Sequence, residues 1–499
     1  MAEVPVFDNL KAVYGEAGES HAKTRYSRLE AAFKKRFGTA PDLYARSPGR
    51  VNLIGEHIDY EGYGVLPMAI KQDTIVACRR HGSELVVANI NPDKYKEYKF
   101  STDPEQNVDA ENHSWANYFL AAYKGVFEHL QSKGGQVPEP VGLELIVDGT
   151  VPEGSGLSSS AALVCSSSLA ILAALGTPCS QHEVATFTAV CEKYVGTESG
   201  GMDQAISIMG AQDIAKLVEF NPVRAEDVVL PKGATFVIAN SLTVSAKAET
   251  AAARYNMRVV ECRLAAMLLA LKLGESKESA HKIKTLREVE TLLQKHVSGP
   301  KGDVSNANAA VVEEHLHEDP YNTEELEKKL GAPLKKLFAG NSSQLRVLEI
   351  AESAGGYKLR QRALHVYAEA QRVPQFRDVC NGSASADEKL AQLAQLMDDS
   401  QTSCRELYEC SCAELDTLIK LSKESGALAG RLTGAGWGGC MVALVPDAQA
   451  QHVIEHLKKE YFAGFVEKGK LGKDEAFMSA VVFASRPSSG GAILKLKHL

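Results

Sequence analysis

The chain has 499 residues, with 63 acidic and 55 basic side chains and a net charge of −8. Hydrophobic residues make up 44% of it and charged residues 24%, which is typical of a soluble globular protein with room for two or more domains. This acidic balance gives no electrostatic reason to expect nucleic acid or an anionic membrane as a partner.

The ten cysteines are scattered, and the tightest group, Cys404, Cys410 and Cys412, lacks the paired spacing of a zinc site. We expect reduced, mostly buried thiols in a reducing compartment. Residues 1–15 contain no apolar core of a secretory signal, and the longest apolar stretches, such as 264–271, are too short to cross a bilayer. The sequence therefore predicts a cytoplasmic protein.

The first half of the chain mixes predicted strands with predicted helices. Residues 143–147 alternate and are partly β-branched, as in a strand, whereas 161–175 are apolar and Ala-rich, as in a buried helix. Further strands are predicted at 44–46, 65–69, 74–77, 84–88, 215–220 and 235–239, and further helices from Trp115 and at 184–195.

The second half of the chain is mostly helical. Because strands and helices follow one another without a regular β–α repeat, we expect an α+β fold, with a domain boundary near 220–230. The predicted order is an amphipathic helical region at 247–293, a polar excursion at 295–345 broken by Gly and Pro, helices at 346–425, and a helix at 448–460 between strands at 440–445 and 478–483.

Residues 154–162, Gly-Ser-Gly-Leu-Ser-Ser-Ser-Ala-Ala, are the most informative segment. Small residues let the backbone approach a bulky anion, and Ser158, Ser159 and Ser160 bring hydroxyls to a helix start, whose N–H groups attract phosphate. A flexible linker is the alternative, but the flanking strand and helix argue against it. It is not a Walker loop, because no Gly-x-x-x-x-Gly-Lys-Ser/Thr occurs.

A second glycine cluster, Thr-Gly-Ala-Gly-Trp-Gly-Gly, occupies 433–439. Its Gly-x-Gly-x-x-Gly spacing is a weak dinucleotide signal, since a strand rather than a helix is predicted after it. Protein-kinase signatures are missing as well. We interpret the cluster as a side-chain-poor wall beside the first loop, with a glycine-rich hairpin turn as an equal alternative.

Two further patches are rich in polar groups. Arg50, Glu56, His57 and Asp59 are hydrogen-bonding side chains of the kind that a sugar site needs, because each sugar hydroxyl both donates and accepts. A solvated turn with an Arg50–Glu56 ion pair fits the spacing equally well. The second patch comprises residues 200–204.

Two glycines at 200 and 201 allow Asp203 to lie at a crowded helix start, where an acid is stabilised and where it can serve as a base. Glu192, in the preceding helix, is a candidate Mg²⁺ ligand beside a serine hydroxyl. Taken singly, each has a plain alternative: an N-terminal helix acid for Asp203, and for Glu192 an exposed helix Glu, which is the commoner case for any single acid.

Together these patches resemble the galactokinases of the GHMP small-molecule kinase superfamily. Residues 49–60 are similar to the galactokinase signature, 152–162 to the ATP loop, and 432–439 to the third, glycine-rich motif. The resemblance covers nearly the whole chain, and its length is similar to that of the plant-type branch.

The resemblance implies a two-domain fold with the active site in the cleft between the domains. An N-terminal mixed-sheet domain, 1–225, would carry the sugar signature and the ATP loop. A C-terminal α+β domain, 226–499, would carry the third motif and a helical insertion at about 295–345.

The resemblance also implies roles for individual residues, with Asp203 as catalytic base and Arg50 as stabilising cation. The implied sugar-binding positions are Arg50, Glu56, His57, Asp59, Gly200, Asp203 and Tyr255. The implied nucleotide-binding positions are Gly154, Gly156, Ser158, Ser159, Ser160, Trp115 and Lys247, and the implied Mg²⁺ positions are Ser159 and Glu192.

The implied reaction is ATP-dependent phosphorylation of the anomeric hydroxyl of α-D-galactose, with galactose, ATP and Mg²⁺ as the small molecules and the chain as a monomer. Tyr255 favours galactose, because related N-acetylgalactosamine kinases have Phe at the matching place. Residues 61–63 and 259–263 are more similar to that second branch, so an N-acetylgalactosamine 1-kinase remains an alternative. A non-catalytic galactose/ATP sensor is another, although such sensors lack ATP-loop residues that are uninterrupted here.

Overall fold

In the computed structural model of the chain, strands and helices follow one another without a regular β–α repeat, which confirms the predicted α+β class. Among the described residues, no helix combines the length and the apolar character needed to cross a bilayer. The described residues are 2–109, 112, 114–196, 200–220, 222–243, 254–296, 304–472 and 474–496.

The described strands form three sheets. Their bounds are β1 (Val6–Phe7), β2 (Leu43–Ile54), β3 (Leu66–Arg80), β4 (Glu84–Asn89), β5 (Tyr98–Ser101), β6 (Leu143–Gly149), β7 (Ile214–Glu219), β8 (Arg224–Val229), β9 (Ala234–Asn240), β10 (Ala429–Leu432), β11 (Cys440–Pro446), β12 (Val482–Ser485) and β13 (Ala492–Leu494). The larger sheet has the order β1-β13-β2-β3-β6-β4-β5, and the smaller has the order β10-β11-β9-β12. Strands β7 and β8 form a two-stranded antiparallel sheet, and Val218 of β7 also bridges to Val65, just before β3.

The helices of the described residues lie mostly in the second half of the chain. Their bounds are α1 (Lys11–Phe37), α2 (Ala116–Ser132), α3 (Ser159–Leu175), α4 (Gln181–Cys191), α5 (Met202–Met209), α6 (Tyr255–Lys272), α7 (Lys277–Ala280), α8 (Leu286–His296), α9 (Val304–His315), α10 (Thr323–Leu330), α11 (Leu334–Leu337), α12 (Ser342–Ile350), α13 (Leu359–Asn381), α14 (Ala386–Glu406), α15 (Ala413–Glu424), α16 (Ala450–Leu457), α17 (Ala463–Glu467) and α18 (Glu475–Val481). Short 3₁₀ segments lie at Glu192–Val195 and Asp447–Gln449, and a π-helical segment lies at Lys458–Phe462.

Both faces of the larger sheet are covered, because side chains alternate between its faces along each strand. On β2, Tyr44 packs into the same core cluster as Tyr26 of helix α1. Its neighbour Ala45 belongs instead to the main core, together with Phe119 of α2 and Leu169 of α3. Strand β2 is therefore buried along its whole length, which explains why its residues do not alternate between apolar and polar.

The end of the chain returns to the larger sheet. Strand β13 pairs with β2, and Arg46 of β2 donates through Nη1 to the carbonyl oxygens of Ser489 (2.5 Å) and Gly490 (2.8 Å). Its Nε donates to Asp73 Oδ2 at 2.6 Å, and both side chains are buried. Arg46 is thus a structural cation that ties the chain end to the sheet.

The division of the chain at residue 225 stays a prediction.

Most predicted elements occur, with differences at their ends. The stretch 295–345 contains helices α9 to α11 and the start of α12, in keeping with a helical insertion. The strand predicted at 478–483 is wrong for residues 478–481, since α18 continues to Val481 and β12 begins at Val482. A short apolar run does not by itself distinguish these two structures. The ten cysteines are free thiols, and all except Cys412 are buried, as predicted.

Candidate active site

The segment that resembles a phosphate loop lies between strand β6 and helix α3, as predicted. Ser158, at the N-cap of α3, has a left-handed backbone with φ of 63° and makes no side-chain capping hydrogen bond to the helix. Its hydroxyl instead donates to Asp203 Oδ2 at 2.5 Å. Ser159 and Ser160 are half-buried in the first turn of α3. The helix start is therefore uncapped by Ser158, a geometry that suits an anionic ligand.

The two glycine segments lie against each other. A Cβ atom at Gly434 would lie 2.8 Å from the carbonyl oxygen of Gly156, and one at Gly439 would lie 2.7 Å from that of Ser155. Both glycines have positive φ, 82° and 72°. Because a side chain at either position would meet backbone that cannot give way, glycine is required there. The second cluster is thus a side-chain-poor wall beside the first loop. It also joins the antiparallel strands β10 and β11, so the alternative of a glycine-rich hairpin turn is correct as well.

Asp203 and Arg50 meet at the end of this loop. Helix α5 begins after Gly201, whose φ is 97°, and Asp203 lies in its first turn. Its Oδ1 accepts from Nε of Arg50 at 2.7 Å, while Nη1 of Arg50 donates to the carbonyl of Gly156 at 2.5 Å. The Arg50 side chain is 2% exposed and that of Asp203 is 13% exposed. Residues from three distant patches therefore converge on one carboxylate.

Glu56 and His57 are buried, which excludes the alternative of a solvated turn. The ion pair of Arg50 is with Asp203, whereas Glu56 Oε1 accepts from Nη1 of Arg431 at 3.4 Å and from the N–H of Gly434 at 2.9 Å. Burial raises the pKa of Glu56, in spite of the neighbouring guanidinium groups. Glu56 thus joins the polar patch that begins at Arg50 to the second glycine segment.

His57 is surrounded by aromatic side chains. Its Nε2 donates to the carbonyl of Ala435 at 3.0 Å, and its Nδ1 is 3.0 Å from the hydroxyl of Tyr60. The ring centroids of Tyr255 and Trp437 lie 5.5 and 5.7 Å from that of His57. Because two ring nitrogens and a left-handed backbone (φ of 63°) are all constrained, His57 has a defined orientation.

Asp59 and Gly200 are in contact, and Asp59 lies near Asp203. A Cβ atom at Gly200 would lie 2.4 Å from Asp59 Oδ2, so a larger residue there would displace the carboxylate. Burial, and then the charge of Asp203, raises the pKa of Asp59 to about 6. Two carboxylates therefore face the same region, one of them titrating near neutral pH.

Glu192 lies at the start of the 3₁₀ segment after α4 and is 4% exposed. Burial raises the pKa values of Tyr118 on α2 and of Cys165 on α3, and the negative charge of Glu192 raises both further. Cys165 is also within electrostatic reach of Asp203. The structure thus brings a buried carboxylate beside the serine-bearing helix, and carboxylate and hydroxyl oxygens suit Mg²⁺.

Trp115 lies apart from the Asp203 cluster, immediately before α2. Its Nε1 donates to the carbonyl of Lys96 at 3.1 Å, and its ring contacts Tyr95 edge-on with centroids 5.9 Å apart. The Tyr95 hydroxyl donates in turn to Glu153, next to the loop, at 2.5 Å. Trp115 is therefore linked through Tyr95 to Glu153, which lies next to the loop. Lys247 lies outside the described residues.

Sequence reasoning missed several residues around this site. Thr433 was recognised only as part of the glycine cluster, yet its hydroxyl accepts the backbone N–H of Asn52 at 2.8 Å. Arg431 and Glu369, which form buried ion contacts beside Glu56, were missed altogether. An arginine within the apolar strand β10 was a usable signal, because a buried charge needs partners. Glu369, within a long helix, carried no local signal.

A second group of possible metal ligands lies elsewhere. His129, Cys179 and Glu183 have ligand atoms within 4.8 Å of one another. However, Glu183 already forms a capping box with Ser180 and an ion pair with Lys133. These bonds account for the group without a metal.

Two curated relatives match nearly the whole chain. Galactokinase of Dictyostelium discoideum is 40% identical over 95% of this chain and 94% of its own length. Galactokinase of Schizosaccharomyces pombe is 34% identical over 99% of both chains. This chain belongs to the galactokinase family. The expected family membership is confirmed.

Family models and a solved structure agree with this membership. The galactokinase galactose-binding signature matches residues 31–80, and the N-terminal and C-terminal GHMP kinase domains match 117–211 and 383–463. The crystal structure of Lactococcus lactis galactokinase complexed with galactose has a TM-score of 0.64 at 24% identity, over 94% of this chain and 99% of that one. The fold is that of the GHMP kinases, as the galactokinase resemblance implied.

Proposed function

We propose that this chain transfers the γ-phosphoryl group of ATP to the anomeric hydroxyl of α-D-galactose, giving galactose 1-phosphate and ADP. The observation that carries the proposal is the Asp203 carboxylate, held between Arg50 of the signature strand and Ser158 of the phosphate loop. Full-length relatives named galactokinase support it.

In this mechanism Asp203 is the base that accepts the proton of the sugar hydroxyl. It is pre-oriented, because Arg50 and Ser158 each donate to a different one of its oxygens. The Arg50 guanidinium stabilises the ionised carboxylate and the charge that develops on the transferring phosphoryl group. Since the transition state for phosphoryl transfer is loose, positioning contributes more than strong base catalysis.

The nucleotide would bind along the loop 154–160 and the start of α3. Small residues and backbone N–H groups there can surround the phosphates. We assign the adenine flank to Trp115 and a further contact to Lys247. Ser159 and Glu192 would hold Mg²⁺, which when bound neutralises phosphate charge.

The sugar would bind beside Asp203, with Glu56, His57 and Asp59 as its polar contacts. Gly200 leaves space for the Asp59 carboxylate, whose Oδ2 lies only 2.4 Å from where a Cβ would be. Tyr255 would close the pocket, since its ring stands 5.4 Å from Tyr60 and 5.5 Å from His57. This proposal assigns galactose, rather than its 2-acetamido analogue, as the substrate.

An ADP-release assay tests the function directly. Purified protein is given ATP, Mg²⁺ and, in separate reactions, galactose, N-acetylgalactosamine, arabinose, mevalonate and homoserine. Of the five compounds, we expect only galactose to be turned over rapidly, and we expect the phosphate on its C1 oxygen. Turnover only with the acetamido sugar would overturn the substrate assignment. Binding of both ligands without ADP release would identify a sensor instead.

Asp59 predicts a pH dependence of sugar binding. Its pKa of about 6 means that the carboxylate becomes protonated as the pH falls through 6 and loses an acceptor for a sugar hydroxyl. We expect the KM for galactose to rise about 10-fold between pH 7.5 and pH 5, following the protonated fraction. The measurement is initial rate against galactose concentration at each pH.

The Asp59→Asn variant should have a high KM at every pH, without this dependence. Because the folded pKa is raised, deprotonation of Asp59 costs stability above pH 6, so the variant should also unfold at a higher temperature there. Asp93→Asn, at an exposed position, serves as the matched control. A wild-type KM that does not change between pH 7.5 and pH 5 contradicts the role of Asp59.

A cytoplasmic monomer completes the proposal, with no nucleic-acid or membrane partner. Free thiols and the acidic net charge support it. The division into domains 1–225 and 226–499, with the sugar and nucleotide in the cleft between them, belongs to the same proposal.

A further inference from the structure

Glu369, on helix α13, is a buried carboxylate that lies outside all sequence motifs. Its Oε1 accepts from the backbone N–H groups of Gly55 (2.8 Å) and Glu56 (3.2 Å), and from the hydroxyl of Ser400 (2.7 Å). Its Oε2 accepts from Nη1 of Arg372 at 2.9 Å. One carboxylate of the helical region is therefore bonded to the turn that carries the proposed sugar contacts.

This turn needs an external acceptor. Strand β2 ends at Ile54, Gly55 has φ of 104° and His57 has φ of 63°, so these residues leave the strand geometry. Buried N–H groups that are not paired within a sheet or helix must find another partner. Glu369 supplies it, and a charged acceptor makes stronger hydrogen bonds than a neutral one.

Glu369 remains charged at working pH. Burial opposes its ionisation, but Arg431 and then Arg372 outweigh burial and lower the pKa of Glu369 to about 2. A guanidinium nitrogen of Arg431 lies 3.8 Å from Glu369 Oε1, and another lies 3.4 Å from Glu56 Oε1. Arg431 thus couples Glu369 to the Glu56 side chain as well.

The same helix holds the other side of the Glu56 peptide. Nε2 of His365 donates to the carbonyl of Glu56 at 3.1 Å, and Nδ1 of His365 lies 2.8 Å from the hydroxyl of Ser403. Burial lowers the pKa of His365 to about 4, so the ring is neutral and its Nε2–H is the donor to the carbonyl. Helix α13 therefore fixes both the N–H and the C=O of Glu56.

We propose that Glu369 is a positioning residue for the sugar. It holds the 55–57 turn so that Glu56 and His57 are pre-oriented before galactose binds, and it does not itself touch substrate. Pre-orientation spares the site the cost of ordering the turn on binding. The proposal rests on the proposed function, since it assumes that this turn binds the sugar.

The test compares Glu369→Gln with wild type. The amide keeps the shape of the Glu369 side chain but loses its charge. Its NH₂ group must also face either the N–H groups of the turn or the guanidinium of Arg372, all of which are donors. We expect the KM for galactose to rise about 10- to 100-fold, the range of one or two charge-assisted hydrogen bonds. The KM for ATP should stay within about 2-fold of wild type, because the turn is not part of the phosphate loop. Hydrogen exchange of the 53–58 segment should become faster.

Arg372→Gln is the matched control. Arg372 contacts only the outer oxygen of Glu369, so this variant weakens the ion pair without removing the bonds to the turn. It should lower the unfolding temperature and leave the galactose KM unchanged. A structural role for Glu369 would make both variants alike, with a smaller active fraction and an unchanged KM.

An unchanged galactose KM in a folded Glu369→Gln protein overturns the proposal. If that variant does not fold, Glu369→Asp replaces it, because the shorter acid keeps the charge but does not reach the turn, and the same rise in KM is expected. Galactose binding is also measured by calorimetry without ATP. A wild-type protein that binds galactose without turnover would refute the proposed reaction, while the binding ratio of variant to wild type would still decide the role of Glu369.

Discussion

Replacing Asp203 by Asn should lower kcat for galactose by about 10³-fold, within the range for loss of a positioned general base. The amide oxygen can still accept from Arg50 or from Ser158, which donate to the carboxylate at 2.7 and 2.5 Å, so the site should keep its shape. What is lost is the group that takes the proton. The measurement is ADP release at saturating galactose and ATP.

Affinity for ATP should be nearly unchanged in this variant, because Asp203 lies outside the proposed phosphate loop and an amide can still form a hydrogen bond with the Ser158 hydroxyl. Titration calorimetry with a non-hydrolysable ATP analogue checks this point. Asp399→Asn, at an exposed position on α14, is the control for the chemical change itself. Turnover within a few-fold of wild type in Asp203→Asn would remove Asp203 from the mechanism.

Replacing Arg50 by Lys should lower kcat by about 10²- to 10³-fold, which is typical of losing a donor that stabilises transition-state charge. The guanidinium reaches Asp203 with Nε and the Gly156 carbonyl with Nη1 at the same time. An ammonium group is a single point charge and cannot replace both bonds in this geometry. Since the pair is largely buried, losing one of these bonds should also destabilise the fold by about 2 kcal/mol, the scale of a hydrogen bond to a charged group.

Arg46→Lys separates these two effects. Arg46 lies on the same strand, is as deeply buried as Arg50, and pairs with Asp73 at 2.6 Å, away from Asp203. It should lower the unfolding temperature but leave kcat of the folded protein near the wild-type value. If both variants lose stability and neither loses kcat, Arg50 is a structural cation like Arg46.

Local sequence was enough to place the proposed phosphate loop. The strand before it, the loop itself and the helix after it are contiguous, so periodicity and glycine content report on them directly. The two glycine segments were also correctly interpreted as neighbours, because a cluster with so few side chains favours close approach of another backbone.

Local sequence was not enough to separate helix from strand in short apolar runs. Residues 478–481 are helical although the run continues into a strand at Val482. Strand β2, buried on both faces, has no alternation that marks its inner face. Register and burial decide these cases, and both depend on neighbours distant in sequence.

The composition, the glycine- and serine-rich loop and the polar run after Arg50 were determined by the sequence alone, because each is a property of adjacent residues. Only the tertiary structure decided that Arg50 pairs with Asp203, 153 positions away, rather than with Glu56. Glu369 holds Gly55 across 314 positions for the same reason. A buried charge pairs with whichever group the packed core places beside it, and the distance along the chain does not predict which group that is.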